Sequence, residues 1–192
     1  ILCLLQTNGL YRVDERRCVL LDTGTWEQRE RIERTLSKAG LTPIGILGSH
    51  THFDHCSNHR YFQQKYHIPV ALSMAEAAVA CSMETLKIQF FMNSIREVAA
   101  SPRAGHMQVR ADRIIWPEET RIEFCGVPFE IIPAPGHSVG HICVRTPDDV
   151  LYLADAMMAG SDLEEAKLPY HLVIEHALET MERLKSVPAA CY

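Results

Sequence analysis

No stretch of this chain approaches the 18 consecutive apolar residues that a membrane-spanning helix needs. Ile1-Leu2-Cys3-Leu4-Leu5 is too short for the apolar core of a secretory leader and has no basic flank. Cysteines stand at 3, 18, 56, 81, 125, 143 and 191, an odd set without a C-x-x-C pair. That pattern argues against a disulfide framework and for reduced, buried thiols, so a cytoplasmic location is the expectation. Basic charge is not in excess. The net charge of −5 speaks against a nucleic-acid surface, and no glycine-rich phosphate loop is present to favour a nuclease. Repeats and low-complexity segments are absent as well. The expected partner is a small-molecule substrate, with neither nucleic acid nor membrane.

What is present fits one layered domain over residues 1–192. A chain of this length buries about 70% of its unfolded surface and needs no disulfide staples. It begins at Ile1 and stops at Ala189-Ala190-Cys191-Tyr192, which reads as the start of a strand. The expectation is a domain incomplete at its C-terminus, and at its N-terminus too. Leu10 to Val13 and Cys18 to Leu21 read as a hairpin across the polar turn Asp14-Glu15-Arg16-Arg17. Thr25-Trp26-Glu27-Gln28 reads as a capping box before a helix that Gly40 ends. An apolar strand from Ile44 to Gly48 follows, then a helix from about His55 to Tyr66 and a strand from Val70 to Leu72. Ser73-Met74-Ala75-Glu76 reads as a second capping box, with helical pattern continuing to about Ala100. Its stripe of Leu86, Phe90, Phe91, Met92 and Ile95 suits core packing. The other reading is a lid, or a homodimer surface along the apolar helix 83–98. Strands at 113–116, 121–124, 129–132, 142–145 and 150–153 are spaced as an antiparallel meander, and a last helix spans about Leu172 to Leu184.

The densest chemistry is Ser49-His50-Thr51-His52-Phe53-Asp54-His55, three imidazoles and a carboxylate at the end of a strand. In extended backbone His50 and His52 point to the same side, so both reach one ion. Asp54 and His55 come after the chain turns into a helix and face elsewhere, so one motif feeds two neighbouring metals. Imidazole with carboxylate suits zinc, with iron or manganese as alternatives. His137 sits on a Pro-Gly turn in Ala134-Pro135-Gly136-His137-Ser138-Val139-Gly140-His141. Asp155 ends the apolar strand Leu151-Tyr152-Leu153-Ala154, where a carboxylate can bridge two cations.

In this order Leu21-Asp22-Thr23-Gly24, His50-Thr51-His52-Phe53-Asp54-His55, Pro135-Gly136-His137-Ser138-Val139-Gly140-His141 and Ala154-Asp155 resemble the metallo-β-lactamase superfamily over nearly the whole chain. The resemblance implies an α+β fold, a four-layer αββα sandwich with a dinuclear site at one edge. It implies His50, His52 and His137 on the first metal, Asp54 and His55 on the second, and Asp155 between them. Asp22 would support the loop geometry from outside the ligand set. His59 and His141 are expected beside the ligands or at the surface, and His67 and His106 at the surface. The family's second metal takes one more histidine, which is expected beyond Tyr192. His171 and His176 fall near or within the last helix and are not expected as ligands.

The expected reaction is attack by a metal-activated bridging hydroxide on a small ester, thioester or lactone. Asp54 is its candidate catalytic group, orienting the water or accepting its proton. Asp155, where the family's true β-lactamases carry cysteine or another residue, points to the glyoxalase II-like, lactonase and other hydrolase branches. Met158 stands where acyl-homoserine lactonases of the family carry Tyr. The basic pair with which glyoxalase II holds glutathione is missing, since residues 156–165 contain no Lys or Arg. Met158, Tyr170 and Lys167 are candidate pocket residues. Cys56, beside His55, reads as a small buried residue before it reads as a reactive thiol. The alternatives are a mononuclear iron oxygenase of the persulfide dioxygenase type and a non-catalytic metal-binding member of the fold.

Overall fold

The computed structural model describes residues 8–158, 160, 163–164 and 169–192, and the backbone of residues 2–5. Lys167 lies outside the described residues. Two sheets face each other. The first has strands β1 (Leu2–Leu5), β2 (Asn8–Arg12), β3 (Arg17–Leu21), β4 (Thr42–Leu47), β5 (Val70–Ser73) and β6 (Arg113–Ile115), in that spatial order. β1 to β3 pair antiparallel and β3 to β6 pair parallel. The second is an antiparallel sheet of β7 (Arg121–Phe124), β8 (Val127–Pro133), β9 (Ile142–Arg145) and β10 (Leu151–Tyr152).

Strand alternation explains the layers. Val19 and Leu21 of β3 point between the sheets, where with Leu47, Ala71 and Ile115 they meet Ile122, Phe129, Ile131 and Val144. Cys18 and Leu20 point the other way, onto Ile32 and Leu36 of α1 (Arg29–Ala39) and Phe62 of α3 (His59–Tyr66). Behind the second sheet, Cys143 and Leu151 pack on Leu184 of α7 (Ile174–Leu184). The order is helix, sheet, sheet, helix, as expected. Among the described residues no helix is long and apolar enough to cross a membrane, and six cysteines are free.

Four local expectations are corrected. The helix expected from His55 to Tyr66 is two, α2 (Phe53–Cys56) and α3, separated at Ser57-Asn58. The Asn58 amide donates to the carbonyls of Thr23 and Thr25, at 2.8 and 2.6 Å, which fastens the break to the end of β3. The helical run 74–100 divides into α4 (Met74–Ala80), α5 (Met83–Gln89) and α6 (Ile95–Ala100). The Ser82 and Ser94 hydroxyls accept from Thr85 N and Glu97 N and begin new helices. The expected dimer surface over 83–98 is therefore not a single helix. β6 leaves the expected meander and pairs parallel with β5, because the long excursion through α4–α6 permits a crossover. Finally, the second capping box is half formed: Ser73 accepts from Glu76 N, but the Glu76 carboxylate does not return to Ser73.

Gly136, in the loop after β8, shows how closely the last layer approaches. Its φ is 131°, and a Cβ there would stand 2.3 Å from Ala177 N on α7. Gly136→Ala is expected to cost more than about 2 kcal/mol of stability, read as a lowered denaturation midpoint of the metal-free protein. An unchanged midpoint would show that α7 does not hold this position.

Candidate metal centre

The functional side chains collect where strands of both sheets end. β3 leads to Asp22, β4 to His50 and His52, β8 to His137, and β10 to Asp155 in a short 3₁₀ turn. His50, His52, His137 and Asp155 each offer a ligand atom within 4.8 Å of the others, and so do Asp54, His55 and Asp155. Asp155 belongs to both groups. Its Oδ2 lies 3.1 Å from His137 Nε2 and 3.9 Å from His50 Nε2, while its Oδ1 lies 3.1 Å from His55 Nε2. The carboxylate thus turns one oxygen to each set. Asp54 Oδ2 stands 3.9 Å from His55 Nε2. His52 Nδ1 is 2.8 Å from His137 Nε2.

The outer nitrogens explain why these imidazoles face inward. Asp22 is fully buried. It accepts Ser49 N at 2.8 Å on Oδ1, and the Ser49 hydroxyl at 2.6 Å, His55 Nδ1 at 2.8 Å and the Tyr152 hydroxyl at 2.8 Å on Oδ2. With its own proton committed to Asp22, the Ser49 oxygen accepts from His50 Nδ1 at 2.9 Å. His137 Nδ1 donates to the Tyr170 carbonyl at 2.9 Å. His50 and His137 therefore keep a lone pair for Nε2, and His55 turns its Nε2 the same way, free to ligate once it sheds its second proton. The Nε2 atoms of His50 and His55 are buried without a hydrogen-bond partner. Orphaned imidazole nitrogens around a carboxylate are what a divalent cation would satisfy, so the donor set fits one.

Burial, reinforced by neighbouring imidazoles, lowers His50 and takes His52 down to about 3, so both are neutral and ready to ligate. Burial also pulls His55 down, but Asp155 and Asp22 outweigh it and lift this imidazole to about 10. Burial disfavours the Asp155 carboxylate too, yet His137 and His55 hold it well below the usual carboxylate range.

Around the cluster, His141 is buried and its Nε2 accepts from Asp155 N at 3.2 Å, so it seats the bridging residue. His59 is buried with Nδ1 2.8 Å from the Thr23 hydroxyl. His106, expected at the surface, lies half-buried and stacks on Trp26 with ring centres 3.7 Å apart. Cys56 is buried, and burial pushes its thiol well above the ordinary value, which removes the reactive-thiol reading. A cavity of about 480 Å³ opens over the cluster, lined by Phe53, Phe90, Phe91, Met158 and Tyr170 beside the ligands. His171 lines it as well, its ring 6.0 Å from His137, although its place near a helix start had not marked it for the site. His176 lies on α7 beside Pro133 and Pro135 instead.

A sequence profile described as "Metallo-beta-lactamase superfamily" matches residues 4–192. The chain belongs to the metallo-β-lactamase superfamily. Among its relatives is a probable metallo-hydrolase, YqgX, of Bacillus subtilis (strain 168), 29% identical over 81% of this chain and 68% of the relative. An acyl-coenzyme A thioesterase, MBLAC2, of Gallus gallus is 27% identical over 78% of this chain and 53% of the relative. A hydroxyacylglutathione hydrolase of Synechococcus is 22% identical over 96% of this chain and 62% of the relative. The chain spans between about half and two-thirds of the length of these relatives. Native FEZ-1 metallo-beta-lactamase from Legionella gormanii superposes with a TM-score of 0.69 at 16% identity, over 95% of this chain and 70% of that one. TTHA1623 in a di-iron-bound form gives 0.65 at 21%, over 96% and 83%. These likenesses show the fold. In this member of the superfamily the His/Asp cluster lies where the two sheets meet.

A ligand must lose its proton to bind. With His55 lifted to about 10, the metal-free site carries that proton at pH 7. Uptake of the ion next to His55 should release about one proton, and affinity should rise about tenfold per pH unit between pH 7 and 9. Titration calorimetry in buffers of different ionisation enthalpy measures the release, and equal heats in all buffers would rule it out.

Proposed function

We propose that this chain is a dinuclear metal-dependent hydrolase of thioesters with an apolar acyl group, zinc being the foremost metal. The observation that carries it is the Asp155 carboxylate shared between two histidine sets at the floor of an apolar cavity. Relatives named as an acyl-coenzyme A thioesterase and a hydroxyacylglutathione hydrolase support the thioester reading. His50, His52, His137 and Asp155 would hold the first ion, and Asp54, His55 and Asp155 the second. Ions held there supply a water acidic enough to ionise near neutral pH and polarise a carbonyl oxygen.

The chain's own groups do the rest. Phe53, Phe90, Phe91 and Met158 wall the cavity and take the acyl chain out of water. The Tyr170 ring meets the edges of His52 and His137, at 5.5 and 5.7 Å between centres, and screens that side from solvent. Asp54, partly exposed in the cavity wall, is the carboxylate placed to accept a proton from the attacking water, on the oxygen not turned to His55, and return it to the departing thiolate. Water adds to the carbonyl carbon, the C–S bond breaks, and acid and thiol leave. Among the described residues the lining is chiefly aromatic and apolar, which favours recognition through the acyl side.

A panel of acyl thioesters, lactones and simple esters, with metal content measured in parallel, tests this reading. Two zinc per chain with thioesters turned over fastest is the expected result. One iron per chain with oxygen consumption would overturn it. His52→Ala should abolish turnover, and survival of full activity with metal still bound would refute the site assignment. Phe91→Ala should lower kcat/KM for an octanoyl thioester about fivefold while sparing the acetyl analogue, the loss of about 1 kcal/mol of apolar contact.

A further inference from the structure

The two loops that carry the first set of donors are joined by a carboxylate outside the ligand set. Glu76, on α4, is fully buried. Its Oε2 accepts from Thr51 N at 2.9 Å and from the Thr51 hydroxyl. Its Oε1 accepts from the Ser138 hydroxyl at 2.6 Å and from Gly140 N at 2.8 Å. One oxygen therefore holds the residue between His50 and His52, and the other holds the residues just after His137. The Ser73 hydroxyl adds a bond to the Gly140 carbonyl at 2.7 Å. Gly140 makes the approach feasible, since a Cβ there would meet Ser73 Oγ at 2.5 Å and Ala75 Cβ at 2.8 Å.

Among the described residues no cation pairs with Glu76. A buried carboxylate without a counter-charge is costly, and four donors offset that cost here. All four come from the two ligand loops, and none from its own helix. The capping bond of α4 uses the Glu76 backbone N–H and leaves the carboxylate free for this role.

We propose that Glu76 is a positioning residue of the metal centre. It sets the separation between the His50–His52 segment and His137, and with it the spacing of the three nitrogen donors. This rests on the reading of the cluster as a metal site. Glu76→Gln keeps the volume but turns an amide NH₂ toward one loop, where only donors wait, so that loop is released.

The experiment is zinc competition against a chelating dye, with the Co(II) absorption spectrum and amide exchange of the metal-free protein. Glu76→Gln should bind zinc about 10–100-fold more weakly and show an altered Co(II) spectrum. Exchange should quicken at Thr51 and Gly140 while the sheet amides stay protected. Leu36→Ala, a core variant on α1, lowers stability without touching the loops and should keep wild-type zinc affinity. Equal zinc affinity and an unchanged spectrum in Glu76→Gln would overturn the proposal. So would an equal affinity loss in Leu36→Ala, since the effect would then be stability alone. If Glu76→Gln does not fold, Ser138→Ala removes one of the four donors and should weaken zinc about threefold; no change there would overturn it too. Failure of the wild type to take up zinc would overturn the metal reading itself, and this proposal with it.

Discussion

Everything at this site depends on one buried charge, the Asp22 carboxylate. It sits at the end of β3 with φ at 58°, a conformation costly for a residue with a side chain. It is kept because four donors from three chain segments converge on it. Through the Ser49 hydroxyl it sets the tautomer of His50, and directly it fixes the ring of His55, so one oxygen orients an imidazole from each of the two clusters. The Tyr152 hydroxyl brings the second sheet into the same arrangement. A low-dielectric interior makes such a fully satisfied network rigid, and a partly satisfied one expensive. The strand-end position follows from the same requirement: only where strands of both sheets stop can their backbones turn inward together.

Much of this was legible because metal-ligating residues are chemically distinctive. The run from His50 to His55, His137 after Pro-Gly, and Asp155 after an apolar strand stand out without any structure, and the structure brings all six ligand candidates together. The layering was legible too, since alternation in β3 and the stripe of Ile32 and Leu36 report which faces are covered. Helix continuity was not. Phe91 ends α5 with φ at 53°, where glycine is usual, and no propensity argument foresees a phenylalanine there. β6 was misplaced because strand patterns reveal neither sheet nor partner.

Residues that act through the backbones of others were harder still. Glu76 looked like the second half of a capping box, a local role. Its actual partners lie 25, 62 and 64 positions away. For His59 and His141 the sequence left open a place beside the ligands or at the surface, and their burial follows from loops that close over them in three dimensions. Long-range polar contacts of this kind leave no period in a sequence, whereas apolar faces do.

The loop bearing His137 is braced from behind by chain that comes much later. Val173 N donates to Gly136 O at 3.0 Å, the Thr180 hydroxyl to Pro135 O at 2.8 Å, and Tyr170 supplies the carbonyl that holds His137 Nδ1. During synthesis the histidines and Asp155 therefore leave the ribosome well before their brace. The nascent domain can pair its strands early, but its metal donors acquire their final orientation only once residues 170–180 have emerged and docked. The orientation of His137 is thus timed by the docking of α7 rather than by the synthesis of the histidine itself.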